Sequence, residues 1–205
     1  MPELRRAGSG DLEAIVDVFL DCWTVSYADV MPDRLVGAMT RDRAREIWAG
    51  TLASRDTEVL AAIAVCESAH AVGERAARVT GTGDAGAGRA VSGGTVIGMV
   101  GFSLPESGTG YVASLYVSPR AQGSGAGRLL LSEAERRLAD RGARRMRLWV
   151  FEQNAPSRGF YARQGWRPDG TRVTLPEWGE PQIGLVKDLL GAATPGRVAL
   201  DPMER

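Results

Sequence analysis

Leu115-Tyr-Val-Ser-Pro-Arg-Ala-Gln122-Gly123-Ser124-Gly125-Ala126-Gly127-Arg128-Leu-Leu-Leu131 decides the fold of this chain. Its first residues are aromatic and β-branched, as in a strand, and Pro119 stops that strand. Three glycines then alternate with other residues, and an apolar helical start follows. Glycines at such spacing let backbone N–H groups converge with no Cβ atoms in the way. The helix begins at the same place and turns its positive dipole end there. A strand, a glycine turn and a helix N-terminus in this order form a site for phosphate or pyrophosphate. The expected ligand is therefore nucleotide-like.

Two phosphate-binding patterns are excluded. A Walker A loop needs Lys followed by Ser or Thr after its last glycine, and Arg128-Leu129 stands there. A dinucleotide fingerprint needs glycines at the first, third and sixth positions, and from Gly123 the sixth is Arg128. What remains is Gln122-x-x-Gly125-x-Gly127. A literal GxGxxG does occur at Gly81-Thr-Gly83-Asp-Ala-Gly86, but no amphipathic helix follows it, so it is read as an accident of a glycine-rich stretch.

A second block lies downstream. Arg145-Met-Arg-Leu-Trp-Val-Phe151 alternates as a half-buried strand does. Asn154-Ala-Pro156-Ser157-Arg-Gly-Phe160-Tyr161-Ala-Arg-Gln-Gly165-Trp166 then reads as a short helix with marked ends. Asn154 is a good N-cap, Pro156 suits the first turn and Gly165 suits the position after the last turn.

Together the two blocks resemble the GCN5-related N-acetyltransferase (GNAT) superfamily. Its acyl-CoA loop is Gln/Arg-x-x-Gly-x-Gly/Ala after a strand, and its second block is written N-x-x-A-x-x-F-Y-x-x-x-G-F. Ser157 stands here at the alanine and Trp166 at the final phenylalanine. The resemblance implies a single α/β domain with a mixed, mostly antiparallel central sheet flanked by helices, and a splayed strand pair holding acyl-CoA. It implies pyrophosphate on the backbone of Gln122, Gly123, Ser124, Gly125, Ala126, Gly127 and Arg128. The pantetheine arm would lie along Leu115, Tyr116 and Val117, with the Val117 N–H on the acetyl carbonyl, and Asn154 and Ser157 would also hold the cofactor. Tyr161 falls at the position of the usual general acid. Trp23, Tyr27 and Trp178 are implied on the acceptor side. Many relatives carry a glutamate on the strand before the loop, but Tyr111–Val117 has no carboxylate. Glu106, Asp21, Glu152 and Glu177 stay open as bases, as does water.

The implied activity is acetyl-CoA-dependent acetyl transfer to a primary amine of a small molecule or peptide, by direct attack on the thioester. The alternative is a non-catalytic acyl-CoA-binding regulatory domain. Lys plus Arg and Asp plus Glu are 25 each, which gives no charge bias toward nucleic acid. No apolar run is long enough for a bilayer, and the start lacks a signal-peptide core. Cys22 and Cys66, with one histidine, His70, make neither a metal framework nor a disulfide scaffold. The expectation is a cytoplasmic protein, monomer or homodimer, with acetyl-CoA as co-substrate and no metal.

The remaining elements follow from pattern. Leu4–Ala7 reads as a strand, and a helix starts at Ser9-Gly10-Asp11 with Leu12, Ile15, Val16, Phe19 and Leu20 apolar, extended by Trp23 and Tyr27. Pro32 interrupts it, and a further helix covers Arg41 to Leu52. Strands are expected at Glu58–Val65, Thr95–Phe102 and Tyr111–Val117, a helix at Gly127–Asp140, and closing strands at Thr171–Thr174 and Ile183–Leu189. Residues 1–190 form the domain, with a flexible Gly/Ala-rich insertion at 67–94, and 191–205 form a tail.

Overall fold

The computed structural model describes residues 2–28, 30–65, 94–106 and 108–189. The expected insertion and tail, with Cys66, His70 and the Gly81–Gly86 run, lie outside the described residues except for Gly94, where a strand begins. The elements are β1 (Glu3–Arg6), α1 (Leu12–Asp21), α2 (Asp33–Ala38), α3 (Arg41–Ala53), β2 (Thr57–Val65), β3 (Gly94–Glu106), β4 (Thr109–Val117), α4 (Ala126–Asp140), β5 (Arg145–Phe151), α5 (Ala155–Arg163), β6 (Arg167–Thr174) and β7 (Pro181–Asp188). One seven-stranded sheet runs in the order β1-β2-β3-β4-β5-β7-β6. It is mostly antiparallel, and β4 and β5 form its parallel pair. That parallel register covers Thr109–Tyr111 against Arg145–Arg147, while β4 runs on to Val117 and β5 to Phe151.

The contacts divide the chain into two units. The first comprises Met1–Gly101 with Ser114–Ser132. Its core is an aromatic cluster under β4. Phe19 meets Trp23, Trp48 and Tyr116 at ring separations of 5.9, 5.8 and 4.9 Å. Ile15, Val16 and Leu60 are fully buried beside it. α1 supplies this face because its apolar residues recur at helical spacing. It is fastened to α3 by Arg41 and Arg45, which pair with Glu13 and Asp17 across the exposed side. α4 begins in this unit and approaches β3 closely. A Cβ on Gly98 would lie 2.9 Å from the Tyr116 carbonyl oxygen and 3.2 Å from Leu130 Cδ1.

The second unit comprises Phe102–Ala113 with Glu133–Arg205. Met146, Leu148 and Val150 point from β5 into its core, and the alternating residues are less buried. Gly110 gives α4 room here, since a Cβ would lie 2.8 Å from Leu138 Cδ1. Glu135 on α4 accepts from Trp166 Nε1 at 3.1 Å and from Lys187 Nζ at 2.6 Å. This carboxylate thus ties α4 to the turn after α5 and to β7.

Four features differ from the sequence expectation, the first being β3, which runs to Glu106, four residues beyond the expected end at Phe102. α2 was not foreseen. The end of α1 continues as a π-helical turn over Cys22–Ser26, closed by the Tyr27 N–H donating to the Cys22 carbonyl at 3.0 Å. β6 begins at Arg167, four residues earlier than expected. It is a sheet edge, where Pro168 and the bulge between Pro168 and Arg172 are tolerated.

Candidate active site

The glycine turn is built as an open ring of amides. Pro119–Ala121 form one 3-10 turn after β4. The Ala121, Gln122 and Ser124 N–H groups donate to the carbonyls of Ser118 (the first two) and Ala121 at 2.8, 3.1 and 3.2 Å. The Ala126 N–H reaches Ser124 Oγ at 3.4 Å, and the Leu129 N–H makes the first helical bond, to Gly125, at 3.0 Å. Among the described residues the amides of Gly123, Gly125, Gly127 and Arg128 have no protein acceptor. Gly123 and Gly125 have φ of +80° and +88°, and nothing lies within 4 Å of where their Cβ atoms would be. Their conformation favours glycine, and their open side leaves backbone approach free. Gly127 is different: it is an ordinary residue of the helix's first turn. Four free amides at a helix N-terminus fit a pyrophosphate.

Gln122 plays another part than expected. Its Nε2 donates to the Val117 carbonyl at 3.2 Å and to Ser26 Oγ at 2.9 Å. A carbonyl only accepts, so the NH2 face of the amide must point to Val117. Ser124 Oγ is likewise used inside the loop, donating to the Ala121 carbonyl at 2.6 Å. The loop therefore offers main chain, and these two side chains hold it in shape.

On β4, Leu115, Tyr116 and Val117 are half-buried. The Ser118 N–H donates to the Ile97 carbonyl of β3 at 2.9 Å. Donors alternate edges along an antiparallel strand, so the Val117 N–H faces away from β3. The Val117 carbonyl also accepts from Cys22 Sγ at 3.2 Å. Burial pushes the Cys22 thiol up to about 12, so it stays protonated and serves as a donor rather than a nucleophile.

Among the residues expected on the acceptor side, Trp23 is 1% exposed and belongs to the core cluster. Its exposure assigns it to packing. Tyr27 is half-buried, with its ring 5.1 Å from Trp23 and 6.5 Å from Tyr116. Burial and then the neighbouring Tyr116 hold its hydroxyl well above the usual phenol range. Trp48 was missed by sequence reasoning. It is 2% exposed, its ring lies 6.2 Å from that of Tyr116, and its Nε1 has no partner among the described residues. A lone Trp four residues after Ala44 on a helix rich in charged residues was the available signal.

In the second unit, Tyr161 is 9% exposed and packs edge-on against Phe160 and Trp166, at 5.3 and 6.0 Å. The Glu135–Trp166 bond fixes the ring behind it. Asn154 is buried, and its Oδ1 accepts from the Ser157 N–H at 3.0 Å. That bond makes Asn154 the N-cap of α5 and leaves its NH2 as the remaining polar group. Trp178 stacks edge-on with Phe151 at 6.0 Å. Of the carboxylates, Glu152 is paired with Arg172 at 2.5 Å, and Asp21 and Glu177 are exposed. The Glu106 side chain lies outside the described residues.

The sequence profile of the acetyltransferase (GNAT) family matches residues 67–166. That is 100 of the 205 residues, and over this stretch the chain is similar to the GNAT acetyltransferases. Over 75 residues it is 36% identical to mycothiol acetyltransferase of Beutenbergia cavernae, a match covering 37% of this chain and 25% of that protein. It thus aligns with only a quarter of that relative's length. An uncharacterised N-acetyltransferase of Bacillus subtilis, YuaI, is 24% identical over 204 residues, covering 93% of this chain and 99% of that one. The fold matches that of PaiA N-acetyltransferase from Thermoplasma acidophilum, solved in complex with coenzyme A, with a TM-score of 0.65 at 19% identity over 92% of this chain and 99% of that chain. Among the described residues, no helix is long and apolar enough to cross a membrane and no cluster of His, Cys, Asp and Glu could hold a metal ion.

Proposed function

We propose that this protein transfers the acetyl group of acetyl-CoA to a primary amine of a small molecule or peptide by direct attack on the thioester. The carrying observation is the set of four unengaged amides, from Gly123, Gly125, Gly127 and Arg128, at the start of α4. They suit the pyrophosphate of an acyl-CoA. The co-substrate supplies a thioester carbonyl for the amine nitrogen to attack, and its thiolate leaves.

The chain's residues take the following roles in this reading. The β4 backbone at Leu115–Val117 pairs with the pantetheine amides, and the Val117 N–H, facing away from β3, stabilises the oxyanion that forms on attack. The Asn154 NH2 donates to the arm. Tyr161 gives its hydroxyl proton to the departing thiolate, and the ammonium proton of the product amine goes to water or to a carboxylate. Tyr27 and Trp178 take the acceptor side, and Trp23 supports Tyr27 from the core.

Two measurements test the reading. Calorimetry with acetyl-CoA should show one site, and a thiol assay with a panel of primary amines should show CoA release that depends on amine. A folded protein that binds no acetyl-CoA overturns the proposal. Tight binding with no thiol release across the panel favours the acyl-CoA-binding regulatory domain instead.

A further inference from the structure

The Gln122 carboxamide joins three pieces of chain that are far apart in sequence. It is the first residue of the glycine loop. It donates to Val117 at the end of β4 and to Ser26 at the end of the π-helical turn, 96 residues earlier. The same Val117 carbonyl accepts from Cys22, at the other end of that turn. The π turn is therefore pinned at both ends to one carbonyl and one loop side chain. Between the pins stands Trp23, buried in the aromatic cluster, and Tyr27 follows directly.

The two pins differ in strength. Cys22 is buried and its thiol is a weak donor. The Gln122–Ser26 bond is shorter and lies at the surface, where water competes for both groups. A π turn has fewer well-formed bonds than an α turn and is a frequent marker of functional segments. Its order should then depend on what holds its C-terminal end. Any ligand that fixes the loop backbone from Gln122 onward also fixes the donor that Ser26 needs.

We infer that Gln122 and Ser26 are positioning residues that couple occupancy of the glycine loop to the order of residues 22–30, and thus to Tyr27. The inference rests on the proposed reading of the loop as an acyl-CoA site. Its consequence is that a loaded loop holds the Gln122–Ser26 bond, and with it Tyr27, more firmly in place, while an empty loop leaves that exposed bond open to exchange with water.

Amide hydrogen exchange with and without acetyl-CoA tests this without knowledge of the acceptor. In the wild type, acetyl-CoA should slow exchange across residues 24–30 by about three- to tenfold, the worth of one net hydrogen bond. Ser26→Ala should bind acetyl-CoA within about threefold of the wild type by calorimetry, because Ser26 is outside the loop, yet lose that protection. Ser26→Thr, which keeps the hydroxyl, should restore it, which a merely structural effect of Ser26→Ala would not explain. A matched thermal melt confirms that each variant is folded. Protection of residues 24–30 that persists in Ser26→Ala, or its absence in a wild type that binds acetyl-CoA, overturns the coupling and leaves the loop assignment standing. Absence of acetyl-CoA binding in the wild type overturns the loop assignment itself.

Discussion

The two helix N-termini that carry the family motifs are finished in opposite ways. At α5 every amide of the first turn is accounted for. The Ala155 N–H donates to the Gln153 carbonyl at 2.8 Å, Pro156 has none, the Ser157 N–H donates to Asn154 Oδ1 at 3.0 Å, and the Arg158 N–H donates to the Asn154 carbonyl at 3.0 Å. At α4 the Ala126 N–H has a long bond of 3.4 Å, the Gly127 and Arg128 amides have no acceptor among the described residues, and Gly123 and Gly125 add two more open amides just upstream. A helix start normally leaves up to four donors to be satisfied. One of these starts satisfies them from within and serves to hold Tyr161. The other leaves them open, its glycines keep side chains away from them, and in the proposed reading a ligand takes them.

The largest effect should come from filling the open terminus. Gly125→Glu places a carboxylate where the phosphates are proposed to lie. Like charge set against like charge costs several kcal/mol, so acetyl-CoA affinity should fall by roughly a hundredfold or more. The new Cβ meets no atom within 4 Å, but φ of +88° costs it of order 1–3 kcal/mol of stability. Gly125→Asn, which accepts that φ better, serves as the neutral comparison. Calorimetry on folded protein decides. Normal binding by Gly125→Glu would mean that the open amides are not the ligand site and that the contrast between the two helix starts has no functional content.

Next in size is the chemistry assigned to α5. Tyr161→Phe removes one oxygen and keeps the ring between Phe160 and Trp166. If Tyr161 protonates the leaving thiolate, kcat should fall by about a hundredfold or more. KM for acetyl-CoA should move much less, since the lost interaction belongs to the transition state. The rate should still rise with pH in both proteins, because the acceptor amine must lose its proton before attack. An unchanged kcat, with chemistry shown to be rate-limiting, would assign α5 a structural part alone.

How much of this was legible from the chain varied with the range of the interaction. The glycine turn and the Asn154 cap depend on neighbours within a few residues, so their geometry was readable from spacing. β5 was readable because Met146, Leu148 and Val150 alternate over one buried face. The π turn was not: Phe19, Trp23 and Tyr27 are spaced by four, which an ordinary helix satisfies equally well. α2 has six residues and follows Pro32, which is too short for a period to show. The start of β6, Arg167-Pro-Asp-Gly, carries turn residues and becomes strand only because β7 offers an edge to pair with. The role of the Gln122 side chain depends on Ser26 and was beyond any local pattern. So was the burial of Trp23, whose neighbour Phe19 is in turn packed against Trp48 of α3 and Tyr116 of β4.

A smaller effect separates capping from binding at α5. Asn154→Ala should lower stability by about 1 kcal/mol, the usual worth of an N-cap, as measured by urea titration. Asn154→Asp keeps the capping oxygen and should recover most of that loss, while removing the NH2 that is proposed to reach the pantetheine arm. Comparison of the two by calorimetry sharpens the contrast. If Asn154→Asp, with the cap kept, binds acetyl-CoA as the wild type does, the NH2 has no part in binding and α5 is closed in function as well as in structure. A larger loss of binding in Asn154→Asp than its stability explains would give α5 a share in the ligand site.

The smallest effect concerns how α4 tolerates an open start. Its anchoring lies further along, in the buried Leu130, Leu131, Ala134 and Leu138 and in charge pairs of its second half. Glu133 accepts from Arg136 and Arg137 at 2.8 Å, with partners three and four residues on. Those two guanidiniums hold the Glu133 carboxyl down at about 2, against 4.5 when unperturbed. A depressed carboxylate stabilises the folded state above its unfolded pKa, and that contribution is lost as pH falls from about 4.5 toward about 2. Glu133→Gln should therefore be less stable than the wild type at pH 7. Both arginines are partly exposed, so the difference should be at most about 1 kcal/mol. It should shrink through that acid window and be smallest at its lower end, as urea titrations at pH 7, 4 and 2.5 would show. Acetyl-CoA affinity at pH 7 should stay unchanged, because Glu133 lies beyond the open amides. A change in affinity with no change in stability would mean that the charge pairs tune the open terminus rather than brace the helix behind it.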